Sequence, residues 1–166
     1  MLNGKELIDR GVIRGALKEN VTQHGYDLRL KRVFKSRDMG YIPSGHKKTI
    51  LPFYDEIECK VCSGDTKIWS LDRGYYMVDF IEGCDIPSTL MGLIVQRSSL
   101  ARCGAWIHSS IFDAGFKTDC IGTFMEVFEP IRIEYEARVA QFIGYDCTEV
   151  LTLYNGQFQN DQQRIY

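Results

Sequence analysis

Short apolar runs that alternate with polar residues, separated by turn residues, most constrain what this chain can fold into. Residues 26–30 and 131–136 alternate apolar and polar side chains, which is typical of half-buried strands. Further β-prone runs cover residues 76–81, 93–95, 139–143 and 150–154. Gly, Pro, Asp and Asn interrupt these runs about every 8–12 residues, which is the spacing of an all-β sandwich or barrel. The sequence therefore predicts an all-β fold.

One segment near the N-terminus predicts a short helix. Asn3 and Glu6 have the spacing of a capping box, in which each side chain bonds the backbone N–H of the other residue. Gly11 is placed to end this helix. The chain has 166 residues, 45% of them hydrophobic, so we expect a single domain over residues 1–166.

Charge and composition exclude several functional classes. The net charge is 20 − 22 = −2, and binding nucleic acid needs clustered Lys and Arg, so we expect no nucleic-acid partner. An anionic small ligand needs only two or three well-placed arginines. No apolar run approaches the roughly 20 residues of a membrane span, and the charged residues 1–10 do not fit a signal peptide. We expect a soluble cytoplasmic protein with reduced thiols and no membrane partner.

Cys59 and Cys62 form a CxxC pair. A structural zinc ion needs four ligands, usually from two such pairs, and the sequence has no second pair. Two interpretations stay open, a zinc site completed by other Cys or His residues, or two free thiols on a β-hairpin. We favour the hairpin.

The first candidate functional segment is residues 97–102, Arg-Ser-Ser-Leu-Ala-Arg. It follows an apolar strand, Ser98 is a candidate N-cap, and the last three residues favour a helical turn. Free N–H groups at a helix start bind phosphate, and Arg97 and Arg102 would add charged donors. The alternative is a strand-to-helix junction with solvated arginines.

The second segment is residues 111–117, Ile-Phe-Asp-Ala-Gly-Phe-Lys. Asp113 ends an apolar run and precedes a glycine turn with Phe116 directly after it. A carboxylate at this position can hold and deprotonate a water molecule, and an aromatic ring can stack on a sugar. The alternative is an ordinary β-turn with Asp as its turn residue.

In this order, with Asp113 placed 113 − 102 = 11 residues after Arg102, the two segments resemble the signature of dCTP deaminases and bifunctional dCTP deaminase–dUTPases. Other segments match the same superfamily in order, namely residues 25–30, 86–92, 138–141 and 154–159. The resemblance to the dUTPase/dCTP deaminase superfamily covers nearly the whole chain. It implies a distorted β-barrel of the β-clip type, assembled as a homotrimer with active sites at subunit interfaces.

The resemblance also implies a role for each matching position. Arg97, Ser98 and Arg102 would hold the triphosphate, Asp113 would activate the attacking water, and Phe116 would stack on the deoxyribose. The remaining substrate-binding positions are Thr123, Gln141, Tyr154 and Gln159. A C-terminal tail of about residues 154–166 would close over the active site. Mg²⁺ would bind through the substrate phosphates rather than in a protein cage.

One position departs from the deaminase pattern. Deaminases have a Glu ten residues after the Asp, and 113 + 10 falls on Thr123, which cannot act as a general base near neutral pH. Glu126 lies three residues later. On a strand, positions 123 and 126 face opposite sides, so Glu126 replaces the missing Glu only if a bulge shifts the register.

This departure affects deamination more than hydrolysis, because dUTPases of the superfamily keep the Asp and lack that Glu. We therefore expect hydrolysis of dUTP to dUMP and pyrophosphate, with Mg²⁺ and the arginines neutralising the developing charge. The alternatives are a dCTP deaminase, a sensor that binds a dNTP without turnover, and a pocket for another pyrimidine dNTP, including a modified base. Asp113 distinguishes an enzyme from a sensor, and Thr123 distinguishes a dUTPase from a deaminase.

Overall fold

The computed structural model describes residues 1–45, 47–62, 64–148, 150 and 152–161. Its helices are α1 (Gly4–Asp9), α2 (Ser98–Arg102) and 3-10 turns at Lys18–Asn20 and Gln159–Asp161. Its strands are β1 (Ile13–Arg14), β2 (Val21–Thr22), β3 (Gly25–Ser36), β4 (Tyr54–Glu56), β5 (Lys60–Val61), β6 (Lys67–Leu71), β7 (Gly74–Phe80), β8 (Gly83–Asp85), β9 (Leu90–Gln96), β10 (Ala105–His108), β11 (Ile111–Phe112), β12 (Lys117–Thr118), β13 (Gly122–Val127), β14 (Ile131–Glu134) and β15 (Arg138–Asp146).

The all-β fold with a short N-terminal helix is confirmed. The predicted capping box is present at the start of α1: the Asn3 side chain accepts a 3.0 Å bond from the Glu6 N–H, and the Glu6 carboxylate accepts a 2.9 Å bond from the Asn3 N–H. Arg10 is the C-cap, and Gly11 follows with a φ of +70°, a left-handed conformation that glycine adopts without strain.

The strands pair antiparallel in three sheets. The largest has nine strands in the order β10-β13-β7-β3-β15-β9-β11, with β2 and β4 also paired to β3. The order β1-β8-β12 forms a second sheet, and β14-β6-β5 forms a third. Both candidate functional segments adjoin β9. The first contains α2, which follows the C-terminal end of β9, and the second contains β11, which pairs with the N-terminal half of β9.

The central strand β3 is buried on both faces at its start. Gly25, Tyr26, Asp27 and Leu28 are all buried, so the predicted half-buried alternation is wrong for this part of the strand. The reason is tertiary: α1 and the 3-10 turn Lys18–Asn20 pack against β3 in addition to its neighbouring strands. The acidic side chain of Asp27 is therefore buried in the interior.

The position of β9 depends on a close approach to β15. The ring of Phe142 lies over Gly92, where an added Cβ would come within 2.2 Å of a ring carbon. Phe142 itself is fully buried. Any larger residue at position 92 would therefore push β9 away from β15 and displace the segment that follows.

The strand predicted over residues 150–154 is wrong for the residues that the structure describes there. Val150 and residues 152–154 are not in a strand, and β15 ends at Asp146. The backbone N–H of Tyr154 instead donates a 2.8 Å bond to the Ala114 carbonyl, so the segment packs on a turn rather than on a strand edge. None of the helices in the described ranges is long and apolar enough to cross a membrane.

Candidate active site

Arg97 and α2 form the first part of the candidate site. The helix begins at Ser98, and the N-cap is Arg97, so the predicted N-cap at Ser98 is wrong by one residue. The Arg97 N–H donates a 3.0 Å bond to the Val139 carbonyl, which extends the strand pairing up to position 97 and moves the helix start past it. Ser98 and Arg102 are exposed on this short helix and are available to a ligand.

The side chain of Arg97 belongs to a cluster of three charged residues. Its Nε lies 3.2 Å from Asp27 Oδ2, and its Nη1 donates a 3.2 Å bond to the Arg138 carbonyl. Arg138 Nη1 lies 3.9 Å from the same Asp27 oxygen. The cluster therefore carries two positive charges and one negative charge, and it leaves a net positive charge beside α2.

Asp27 is the buried member of this cluster, with its side chain 4% exposed. Burial raises the pKa of the Asp27 carboxyl above its ordinary 3.8, and the positive charges of Arg97 and Arg138 partly oppose that rise. No role was predicted from sequence for Asp27 or Arg138. The available signal was an acidic residue between Tyr26 and Leu28, both apolar.

Gln141 lies beside the same cluster. Gln141 is on β15, where its cross-strand neighbours are Asp27 on β3 and Val95 on β9. The half-buried side chain donates from Nε2 to Thr22 Oγ1 at 2.5 Å. The structure thus pairs Gln141 with Asp27, the residue that forms an ion pair with Arg97.

Asp113 and Phe116 form a turn at a second location. The Asp113 carbonyl accepts a 3.0 Å bond from the Phe116 N–H, and Gly115 between them has a φ of +89°. A Cβ on Gly115 would also lie 2.7 Å from the Leu153 side chain, so both its conformation and its surroundings require glycine. Asp113 is exposed at the tip, where its carboxylate can meet water and substrate.

The described part of the predicted tail, residues 154–161, packs on this turn, and residues 162–166 of that tail lie outside the described residues. The Tyr154 ring meets the Phe116 ring edge to face at 5.3 Å. The Gln159 side chain accepts a 2.9 Å bond from the Lys117 N–H and donates a 2.8 Å bond to the Gly115 carbonyl. Four predicted site residues, Asp113, Phe116, Tyr154 and Gln159, are therefore brought together.

The two parts of the site lie apart within one chain. Phe112 pairs with Gly92, and Arg97 is five residues farther along the chain, directly after the end of β9. At about 3.3 Å per residue, the turn and the arginine cluster are roughly 16 Å apart along the strand. The structure does not place Asp113 beside the arginines of its own chain.

Thr123 contacts neither part of the site through its hydroxyl. It is 4% exposed, its Oγ1 donates a 2.8 Å bond to the His108 carbonyl, and the Ser110 hydroxyl lies 2.9 Å away. The hydroxyl proton is thus used within the protein. A threonine here supplies no proton shuttle.

Glu126 faces the opposite side of β13, as predicted. Trp106 on β10 and Tyr75 on β7 are its cross-strand neighbours, and both pairings run through β13 without a register shift. Its carboxylate lies 3.3 Å from His108 Nε2. The bulge that would let Glu126 replace the missing Glu is not present.

Cys59 and Cys62 lie at the hairpin of β5 and β6, as expected for free thiols. The Cys62 N–H donates a 2.8 Å bond to the Thr66 carbonyl across this hairpin. Within the described ranges no group of three or more His, Cys, Asp or Glu side chains is arranged to hold a metal ion.

Comparison with known proteins identifies the fold and then the family. The structure superposes on the crystal structure of 2′-deoxycytidine 5′-triphosphate deaminase from Agrobacterium tumefaciens with a TM-score of 0.59 at 16% identity, over 84% of this chain and 45% of that chain. The profile of the dCTP deaminase-like family matches residues 3–147. The chain belongs to this family.

Curated relatives have names that refer to dUTP. The deoxyuridine 5′-triphosphate nucleotidohydrolase of Methanocaldococcus jannaschii is 35% identical over 142 residues, which is 86% of this chain and 88% of that protein. A probable deoxyuridine 5′-triphosphate nucleotidohydrolase of Aeropyrum pernix is 30% identical over 165 residues, 96% of this chain and 98% of that protein.

Proposed function

We propose that this protein is a dUTP diphosphatase, which hydrolyses dUTP to dUMP and pyrophosphate. The observation that carries the proposal is the exposed Asp113 carboxylate at the turn, together with a hydroxyl at position 123 that is fully used within the protein. The names of the curated relatives support the same substrate.

Asp113 supplies the base for this reaction. It orients a water molecule toward the α-phosphorus and accepts a proton as the new P–O bond forms and the bond to the pyrophosphate oxygen breaks. Asp113 is exposed, and no group of three or more His, Cys, Asp or Glu in the described ranges forms a metal cage, which suits Mg²⁺ bound mainly through substrate phosphates. When bound, Mg²⁺ neutralises the phosphate oxygens as charge builds on the leaving group.

The arginine cluster and α2 hold the triphosphate. Arg97 and Arg102 supply charged donors, and the Ser98 hydroxyl adds a neutral one. Gln141 contributes to the same pocket from β15, since it borders the arginine cluster through Asp27. These groups neutralise phosphate charge that increases in the transition state.

Phe116 offers a half-buried ring to the sugar. It is held from both sides, by Phe112 at 5.6 Å and by Tyr154 at 5.3 Å. A ring fixed in this way can stack on deoxyribose and leave no room for a 2′-hydroxyl. We propose that the tail of about residues 154–166 closes over the bound substrate, starting from the contact of Tyr154 with this ring.

The active site is shared between copies of the chain in a homotrimer. The roughly 16 Å between the turn and the arginine cluster supports this, because a triphosphate bound at Arg97 would need the Asp113 of a neighbouring subunit. Two exposed aromatic side chains, Tyr75 on β7 at 52% and Trp106 on the edge strand β10 at 46%, support an interface there. We propose a reducing, cytoplasmic location, which the free thiols of Cys59, Cys62, Cys103 and Cys147 support.

Incubation with a panel of dNTPs and Mg²⁺, with the products separated by chromatography, tests the proposed reaction. We expect dUTP to give dUMP and pyrophosphate, and Asp113→Asn to abolish turnover while the α,β-imido analogue of dUTP still binds. Asn keeps the shape of the side chain and lacks the basicity. Turnover by Asp113→Asn at the parent rate would contradict the assignment.

A further inference from the structure

Asp27 is a buried acidic residue that the proposed reaction does not use directly. With 3% of its surface exposed, it cannot contact a dissolved nucleotide. Its two charged neighbours, Arg97 and Arg138, are 33% and 45% exposed in their side chains and can reach a ligand. Burying the charge of Asp27 has a desolvation cost, which its ion pairs with the two accessible arginines offset.

We propose that Asp27 is a positioning residue that fixes the guanidinium of Arg97, with Arg138 beside it, for contact with the triphosphate. This inference rests on the proposed function, because it names the residue that prepares the phosphate-binding arginine. It assigns Arg138 to the same phosphate-binding surface.

The contacts of Arg97 explain how the position is fixed. Asp27 Oδ2 lies 3.2 Å from Nε, and the Arg138 carbonyl accepts a bond from Nη1 at 3.2 Å. Two of the three guanidinium nitrogens are thus engaged by the protein. Because a long, flexible side chain is ordered before the ligand arrives, less entropy is lost on binding.

Asp27 also allows the two arginines to lie close together. Arg138 Nη1 is 3.9 Å from the same carboxylate oxygen that approaches Arg97. Without the negative charge, the two guanidinium groups would repel each other and turn toward solvent. With it, the cluster keeps a net positive charge and a fixed geometry.

Charge neutralisation and positioning of Arg97 predict opposite results when the charge of Asp27 is removed. If Asp27 only neutralised its neighbours, Asp27→Asn would increase the positive potential and tighten triphosphate binding. If Asp27 positions Arg97, the same substitution loosens the guanidinium and weakens binding. The sign of the change in affinity therefore separates positioning from neutralisation.

The experiment measures binding of the α,β-imido analogue of dUTP with Mg²⁺ by calorimetry, and the KM and kcat for dUTP. Asp27→Asn is expected to raise both the Kd and the KM about tenfold, with kcat within about twofold of the parent. In an Arg97→Ala background, Asp27→Asn should change the Kd by less than about twofold, because the two residues act as one unit. Unchanged or tighter binding by Asp27→Asn overturns the proposal, and so does a full tenfold loss in the Arg97→Ala background.

Glu82→Gln is the matched control. Glu82 is fully buried, accepts a 2.7 Å bond from Arg29 Nε, and contacts none of the proposed site residues in the described structure. Glu82→Gln should leave the affinity for the analogue unchanged. If Glu82→Gln lost as much affinity as Asp27→Asn, the effect of Asp27 would be merely structural and the proposal would be overturned.

Arg97→Lys provides a second route if Asp27→Asn does not fold. Lysine keeps the charge and lacks the fork that reaches both Asp27 and the Arg138 carbonyl, so a similar tenfold loss is expected and unchanged affinity overturns the proposal. If the parent protein neither binds the analogue nor hydrolyses dUTP, the proposed function fails, and this is distinguishable from failure of the positioning role.

Discussion

Replacing Gln159 by Ala tests whether the tail is held on the Asp113–Phe116 turn by one side chain. That side chain accepts a 2.9 Å bond from the Lys117 N–H and donates a 2.8 Å bond to the Gly115 carbonyl. At about 0.5–1.5 kcal/mol for each bond, their loss costs roughly 1–3 kcal/mol of tail docking. Detachment of the tail should become roughly 5- to 150-fold more frequent.

Amide hydrogen exchange at Lys117 measures this directly, because its N–H is the donor in one of the lost bonds. We expect exchange at Lys117 to accelerate in Gln159→Ala and the KM for dUTP to rise, since the open tail no longer covers the substrate. Gln157→Ala is the matched control, because Gln157 is in the same segment and its side chain accepts a 3.2 Å bond from the Thr49 N–H instead. Parent-like protection of Lys117 in Gln159→Ala would show that the Gln159 side chain does not hold the tail on this turn.

Three further predictions follow from the same structure. Arg102→Ala should raise the KM for dUTP about tenfold or more, because a charge-assisted bond is worth about 1.5–3 kcal/mol, and its melting temperature should match the parent since Arg102 is exposed; a parent-like KM would remove Arg102 from the site. Light scattering at micromolar concentration should give three times the 19.1 kDa chain mass, and a monomer would contradict the shared site. Asp27→Asn should melt at or above the parent temperature at pH 7.5: burial raises the Asp27 pKa, so the folded state binds more protons than the unfolded state and loses stability as pH rises from 3.8 through the folded pKa. This advantage should shrink as the pH is lowered toward 3.8, and an advantage independent of pH would show that it has another cause.

Local sequence patterns predicted the parts of the fold that depend on near neighbours. The capping box of Asn3 and Glu6 needs only residues three apart, and it formed as predicted. The opposite facing of Thr123 and Glu126 follows from the period of two along a regular strand, and β13 is regular. In both cases the controlling geometry lies within one element.

The features that sequence did not predict depend on partners far along the chain. Asp27 is buried because α1 and the 3-10 turn Lys18–Asn20 pack against β3, and its ion pair with Arg97 joins residues 70 positions apart. Residues 152–154 have β-prone side chains, yet they pack on the turn that contains Ala114. Tertiary contacts overrode local propensity at both places.

The most direct test of the central claim is the product analysis of the purified protein with dUTP and dCTP in parallel, each with Mg²⁺. We expect dUMP and pyrophosphate from dUTP, unchanged dCTP, and no effect of Glu126→Gln, because Glu126 faces away from Thr123. Release of ammonia from dCTP, stopped by Glu126→Gln, would contradict the account and establish a deaminase.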